Sequence, residues 1–144
     1  MVISGIRFMK NNEKREIVEI DYRVPYADTD QMGVVYYGNY FTYFERIRNE
    51  YLREKGWTYK EIEAAGILLP VIETKSNYKA SAKYDDLLTI KGVCELVKST
   101  RLIFNCQVFR GDELLNEGYT IHVCLDSATG RVKKIPADLQ KLIG

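Results

Sequence analysis

Residues 39–55, NYFTYFERIRNEYLREK, carry the pattern that decides the fold. Large apolar side chains recur three or four positions apart, which is typical of the buried stripe of an amphipathic helix. They are Tyr40, Phe44, Ile47 and Tyr51. Asn39 is the predicted N-cap, and Gly56 stands where helices commonly end. A helix of this length spans roughly 25 Å, enough to cross a small sheet.

The rest of the chain has the hydrophobic period of two that predicts β-strands. The strand-like runs are residues 17–24, 68–80, 86–97, 101–110 and 113–126. Minor elements are expected too: a short helix at 58–66, a short strand at 131–136 and one or two helical turns at 137–143. The sequences RGDE (110–113) and DSATG (126–130) are predicted turns. This order indicates an α+β fold with a long helix on one face of an antiparallel sheet. Because no repeat or linker interrupts it, residues 1–144 are predicted to form a single domain.

The last long strand has two chemically different faces. Tyr119, Ile121, Val123 and Leu125 are predicted to face the helix. The other face carries Gly118, Thr120, His122 and Cys124, and it is rather apolar for open water. We therefore expect a second copy of the chain to cover that face.

Composition excludes several classes of protein. Lys and Arg total 21 against 20 Asp and Glu, so the formal charge is +1, whereas nucleic-acid binders are usually strongly basic. No nucleic-acid partner is expected. The sequence lacks the run of about 18 apolar residues that a membrane span needs. An odd number of cysteines without a secretory signal predicts reduced thiols and a cytoplasmic protein.

Motifs for histidine, metal or nucleotide chemistry are missing from the sequence. The single histidine is His122, and the widely spaced cysteines Cys94, Cys106 and Cys124 do not form a zinc-binding pattern, so no metal is expected. A thiolate–imidazole pair of Cys124 and His122 is conceivable. Side chains two apart on a strand stand nearly 7 Å from each other, however, which favours a packed cysteine and a hydrogen-bonded histidine.

Residues 28–40, DTDQMGVVYYGNY, place two carboxylates directly before apolar residues and a helix. Aspartate often caps backbone N–H groups in loops, which would explain one of the two. A carboxylate held near apolar groups can act as a base or a nucleophile. The N–H groups at a helix start can bind an oxyanion. Together these groups suffice for acyl transfer.

The same stretch resembles a known family. The order Asp28-x-Asp30-x-x-Gly-Val-Val-Tyr-Tyr-x-x-Tyr40, followed by Glu45-Arg46-Ile47-Arg48, is similar to the motif of hotdog-fold thioesterases of the 4-hydroxybenzoyl-CoA thioesterase and YbgC branch. SAKYDDLLTIKG and VCLDSATGRVKKIP resemble further parts of that family. The resemblance covers roughly residues 16–138.

The resemblance implies a hotdog fold, in which a curved antiparallel sheet wraps around one long central helix. It also implies an acyl-CoA thioesterase that assembles as a homodimer or homotetramer with active sites between subunits. Asp30 takes the catalytic position, as nucleophile or general base. The amide that polarises the carbonyl is at Tyr37, with Gly38 adjacent. No cofactor is needed, since coenzyme A is part of the substrate.

The remaining substrate-binding candidates are Gly33, Val34, Val35, Tyr36, Lys79 and Lys83. Gly33 is predicted to permit a tight turn that a Cβ would obstruct. The two lysines are candidates for coenzyme A phosphates, although a solvated charged face is the ordinary explanation for such residues. YbgC members often have histidine where this chain has Tyr37, which leaves the acyl preference open. Asp28 is expected to support the loop.

Two other functions remain open at the level of sequence. A hotdog module could hold an acyl-CoA or an acyl carrier protein without cleaving it, although the intact Asp30 motif speaks against this. A hotdog dehydratase would require a catalytic histidine, and His122 lies on a strand far from the motif.

Overall fold

The computed structural model describes residues 16–143. Its strands are β1 (Val18–Arg23), β2 (Ile67–Leu68), β3 (Val71–Tyr78), β4 (Leu87–Lys98), β5 (Arg101–Arg110), β6 (Glu113–Val123) and β7 (Leu125–Asp126). Its helices are α1 (Asn39–Glu54), α2 (Tyr59–Ala64) and α3 (Ala137–Ile143). The long helix and the long strands lie where the sequence predicts them, within a few residues at each end.

Five strands form one antiparallel sheet in the order β1-β4-β5-β6-β3, and β2 pairs with β7 separately. The β5–β6 hairpin turns at Gly111, whose φ of +59° is a conformation that glycine adopts readily. The predicted strand at 131–136 is reduced to a single bridge between Val132 and Leu125. Strand β3 lies at one edge of the sheet.

Helix α1 packs against one face of the sheet and contacts β1, β4, β5 and β6. The predicted stripe of α1 is buried, together with Tyr43 and Leu52. The helix ends as predicted, with Gly56 at φ +80°. The prediction of Asn39 as N-cap is wrong. Gly38 occupies the cap position, and the Asn39 side-chain amide donates to the carbonyl oxygen of Asp28 at 2.8 Å.

The predicted orientation of β6 is also wrong. A Cβ built on Gly118 would lie 2.8 Å from the ring of Phe44 in α1, so the face of Gly118, Thr120, His122 and Cys124 is the one against the helix. Tyr119 and Ile121 instead form a separate cluster with Ile103 on the opposite face. The helix, and not a second copy of the chain, covers the face of Gly118. The prediction placed the larger side chains of β6 against the helix. Side-chain size does not distinguish the two faces, because the strand is buried on both sides.

None of the helices between residues 16 and 143 combines the length and the apolar character needed to cross a bilayer.

Candidate active site

The segment between β1 and α1 folds into a compact turn around Asp30. The Asp30 N–H donates to the Val34 carbonyl at 2.9 Å, and the Gly33 N–H donates to the Asp30 carbonyl at 3.0 Å. Gly33 adopts φ +79°, and a Cβ there would meet no atom of a non-adjacent described residue within 4 Å. The tight turn itself explains this glycine as predicted, because at this φ a Cβ crowds the backbone of its own chain neighbours.

This turn is fixed to the rest of the chain by backbone contacts. The Val35 N–H donates to the Ala82 carbonyl at 2.8 Å, and Val34 forms a bridge with Lys83. The Tyr36 N–H donates to the Asp28 carbonyl at 2.9 Å. Because these bonds hold both ends of the turn, the position of Asp30 is defined by the fold.

Asp28 connects the turn to β1 and α1. Its Oδ2 accepts hydrogen bonds from the hydroxyls of Tyr22 at 2.6 Å and Tyr43 at 2.7 Å. Burial and the Asp28 carboxylate raise the pKa of Tyr22 to about 12, and the same two causes raise the pKa of Tyr43 further. Both phenols therefore stay protonated and keep donating to Asp28.

Asp30 is held by one oxygen only. Its Oδ1 accepts the Met32 N–H at 2.8 Å, and Oδ2 takes part in no hydrogen bond within residues 16–143. Asp30 lines a pocket of about 320 Å³, which we call the Asp30 pocket. The other lining residues are Val34, Val35, Tyr37, Tyr40, Tyr78, Lys79, Ala80 and Ser81.

The start of α1 contributes to the same pocket. The Asn39 N–H donates to the Tyr36 carbonyl at 2.9 Å, and the Tyr37 carbonyl accepts the Tyr78 hydroxyl at 2.9 Å. Across the described part of the chain, no hydrogen bond uses the N–H of Tyr37 or of Gly38. A carboxylate and N–H groups without partners thus belong to neighbouring parts of one site.

The structure brings only some of the predicted site residues into this pocket. Asp30, Val34, Val35, Tyr37 and Lys79 line it, whereas Gly33, Tyr36, Gly38 and Lys83 do not. Gly33 shapes the turn, and the Tyr36 ring packs on the Tyr37 ring with centroids 4.6 Å apart. A Cβ on Gly38 would lie 2.9 Å from the Tyr36 ring, so the glycine makes room for it.

Sequence reasoning missed the contribution of Tyr78 and assigned Tyr40 to the core. The Tyr78 hydroxyl reaches Tyr37 across 41 positions of sequence, so no local spacing relates the two. Tyr40 belongs to the buried stripe of α1, and only the fold reveals that the stripe borders a pocket.

The model of the thioesterase-like superfamily matches residues 24–143. The chain belongs to this superfamily. The acyl-CoA thioesterase YbgC of Haemophilus influenzae is 34% identical over 114 residues, which are 78% of this chain and 82% of that protein.

Solved structures of thioesterases have the same fold. The DHNA-CoA thioesterase of Staphylococcus aureus is 35% identical with a TM-score of 0.73, covering 83% of this chain and 80% of that one. Slr0204 of Synechocystis, a 1,4-dihydroxy-2-naphthoyl-CoA thioesterase, has a TM-score of 0.82 over 89% of this chain and 96% of its own. At 21% identity the second likeness shows the fold alone. The predicted hotdog fold and the predicted class of enzyme, a thioesterase, are confirmed.

In this thioesterase fold His122 is buried and fully hydrogen-bonded. The Leu69 carbonyl can only accept, so Nδ1 of His122 carries the hydrogen of their 2.7 Å contact. Nε2 then accepts from the Thr120 hydroxyl at 2.9 Å. Burial lowers the pKa of His122 to about 4, which keeps the ring neutral at pH 7. Both ring nitrogens are engaged and His122 does not line the Asp30 pocket, which argues against the dehydratase alternative.

The cysteines of the thioesterase are buried and free. The Cys124 thiol lies 3.8 Å from the Lys134 carbonyl, and burial raises its pKa. Since both nitrogens of His122 have other partners, these two residues form no thiolate–imidazole pair. Between residues 16 and 143, no three His, Cys, Asp or Glu side chains come together in a way that could hold a metal.

Proposed function

We propose that the protein hydrolyses acyl-CoA thioesters to the free acid and coenzyme A at the Asp30 pocket. One observation carries the proposal: a carboxylate with an unused oxygen lines the same pocket as Tyr37, at a helix start with unused N–H groups. The names of the relatives support an acyl-CoA as the substrate.

Asp30 supplies the reacting carboxylate. As a nucleophile, it attacks the thioester carbon and expels coenzyme A as the thiolate, and water then hydrolyses the resulting mixed anhydride to the free acid and the Asp30 carboxylate. As a general base, it removes a proton from the water that attacks the same carbon. The free Oδ2 is available for either role, while the bond from the Met32 N–H to Oδ1 holds the carboxylate in place.

Tyr37 supplies the oxyanion contact through its backbone. In both routes the carbonyl oxygen gains negative charge, and the Tyr37 N–H stabilises it together with the start of α1. Gly38, the next residue, leaves room for the Tyr36 ring, which a Cβ would meet at 2.9 Å. A backbone donor is insensitive to the side chain, so tyrosine at this position is compatible with the role.

The remaining lining residues accommodate the acyl group and the pantetheine arm. Val34, Val35 and Tyr40 provide apolar surface. Lys79 is half exposed at the pocket, with its Nζ 3.8 Å from a Glu117 carboxylate oxygen, and it is the nearer candidate for a phosphate. Lys83 is exposed and would contact only the outer part of coenzyme A.

Assembly and location belong to the same proposal. The protein acts in the cytoplasm as a homodimer or homotetramer, with the second subunit completing the site. Hydrolysis needs only water and a carboxylate, so neither a metal nor a cofactor takes part.

The test replaces Asp30 by asparagine, which can still accept the Met32 N–H. We expect Asp30→Asn to lower kcat by at least about a hundredfold, a typical effect of losing a general base. The midpoint of unfolding should not change. The assay is release of coenzyme A thiol from short, long and aromatic acyl-CoAs.

Asp28→Asn is the matched control in the same turn. It weakens two charge-assisted hydrogen bonds, from the half-buried Tyr22 and the buried Tyr43, so stability should fall by roughly 1–2 kcal/mol while part of the activity remains. Turnover at the wild-type rate in Asp30→Asn would refute the role of Asp30. Tight binding of acyl-CoA by the wild-type protein without thiol release would instead favour the non-catalytic binding module.

A further inference from the structure

A second and larger pocket lies at the other end of α1. It has a volume of about 410 Å³ and lies between α1, α2, β2 and the sheet. It shares no lining residue with the Asp30 pocket. Along α1, Arg48 follows Tyr40 by eight positions, which corresponds to roughly 12 Å. We call it the Arg48 pocket.

The walls of the Arg48 pocket are mainly apolar. Leu52, Ile67 and Phe104 are buried side chains that line it, and Leu69 is half-buried. The volume lies within the usual range for small-molecule sites, roughly 300–1,000 Å³. The pocket could therefore hold a short hydrocarbon chain or a ring.

One cation lines this apolar pocket. Arg48 is half-buried, and burial lowers the pKa of its guanidinium. Within residues 16–143, Arg48 takes part in no ion pair and no hydrogen bond, although the charge of Glu45 one turn earlier on α1 partly compensates it. A partly desolvated guanidinium without a hydrogen-bonding partner is energetically unfavourable, which points to a partner that residues 16–143 do not provide.

The polar groups that line the pocket supply no further negative charge beside Arg48. His122 is neutral and both its nitrogens are engaged, so it offers no charge. Glu63 is the one acidic lining residue, and it is exposed and forms no ion pair with Arg48 in the described part of the chain.

We propose that the Arg48 pocket binds a small organic anion, a carboxylate carried on an apolar chain or ring. The guanidinium recognises the carboxylate through paired N–H donors, and the apolar walls hold the rest of the molecule. This site is separate from the site of thioester hydrolysis. It does not depend on the proposed function.

The test is calorimetric titration of the wild-type protein with sodium octanoate, an eight-carbon carboxylate. Octanamide has the same shape without the charge, and inorganic phosphate has charge without the apolar chain. We expect octanoate to bind with a millimolar or lower dissociation constant. Octanamide and phosphate should bind at least tenfold more weakly. Octanamide loses the charge-assisted contact and phosphate loses the apolar contact, and loss of either contact lowers the affinity by about this factor.

Substitutions of Arg48 test whether its guanidinium binds the carboxylate, and a substitution of Arg53 is the control. Arg48→Met keeps an unbranched apolar stem without the charge and should weaken octanoate binding at least tenfold, while Arg48→Lys should restore part of it. Arg53→Met removes the same charge from the same helix outside the pocket and should bind as the wild type does. Circular dichroism checks that each variant is folded.

Several results would overturn the proposal. The first is that octanoate binds Arg48→Met as tightly as the wild type, and the second is that octanamide binds the wild type as tightly as octanoate does. The third is that Arg48→Met and Arg53→Met lose the same amount of octanoate affinity. The fourth is that the wild type binds no octanoate at 10 mM. Asp30→Asn should lose turnover and keep octanoate binding. An inactive wild-type protein that binds octanoate would refute the proposed function alone.

Discussion

At the scale of single residues, the chain holds two polar side chains away from bulk water in opposite ways. The half-buried Asp28 carboxylate accepts hydrogen bonds from two tyrosine hydroxyls. His122 is neutral, because burial and the nearby Arg48 cation both lower its pKa. The difference follows from desolvation: a buried group keeps its charge only where donors or opposite charges replace water.

The pKa of His122 predicts a loss of stability in mild acid. Its pKa is lowered from 6.5 to about 4 on folding, so below pH 6.5 the unfolded chain takes up a proton that the folded chain refuses. Stability is therefore fully present above pH 6.5 and is lost as the pH falls towards 4. Between pH 7 and 5 we expect a loss of about 2 kcal/mol from this residue.

Urea unfolding, followed by the fluorescence of the single tryptophan Trp57, measures this loss. His122→Gln cannot take up the proton, so its stability should fall less between pH 7 and 5 than that of the wild type. Comparing the two slopes removes the contribution of the carboxylates, which titrate in both proteins. Equal slopes would show that His122 does not titrate as predicted.

At the scale of elements, the hydrophobic period predicts where the helix and the strands lie along the chain. It does not predict which face of β6 packs against the helix. The stripe of α1 is evident because its other face is polar. Strand β6 gives no such contrast, since Tyr119 and Ile121 are buried on one side and Gly118 and Cys124 on the other. Non-local contacts are similarly hidden: the Asn39 amide binds Asp28 instead of capping α1, and Tyr78 reaches Tyr37 from a distant strand.

Because α1 lies close to the sheet, we expect replacement of two glycines by alanine to lower the stability of the protein by different amounts. A Cβ on Gly118 would collide with the backbone carbonyl of Lys75 as well as with Phe44. A Cβ on Gly92 would lie 2.8 Å from Cγ1 and 3.2 Å from Cγ2 of Ile47, a buried side chain, whereas the contact at Gly118 is with backbone. Gly118→Ala should therefore cost more than about 3 kcal/mol, and Gly92→Ala about 1–2 kcal/mol.

The same urea experiment measures both alanine variants, each serving as the control for the other. Substitution of glycine by alanine has the same effect on the unfolded chain at both positions, so the difference reports the packing of the folded state. Similar losses in the two variants would contradict the assigned orientation of β6.

At the scale of the whole molecule, β3 is an edge strand of the sheet. Among residues 16–143 it pairs with β6 alone, and Val71 and Ile72 on it are each 46% exposed. An edge strand of this kind readily pairs with a second chain. Tyr78, the last residue of β3, lines the Asp30 pocket, so a chain added at this edge would lie beside the proposed site.

We therefore expect Ile72→Lys to weaken self-association at least tenfold, about 1.4 kcal/mol, because it places a charge on apolar surface that a partner would cover. Stability of the single chain should hardly change, since Ile72 is already half exposed. Val97→Lys is the control, with a similar exposure of 44% on a different strand. Light scattering over a range of concentrations measures the association, and thioester hydrolysis should decline in parallel with it. A wild-type protein that is monomeric and fully active at micromolar concentration would refute both the assembly through β3 and the shared site.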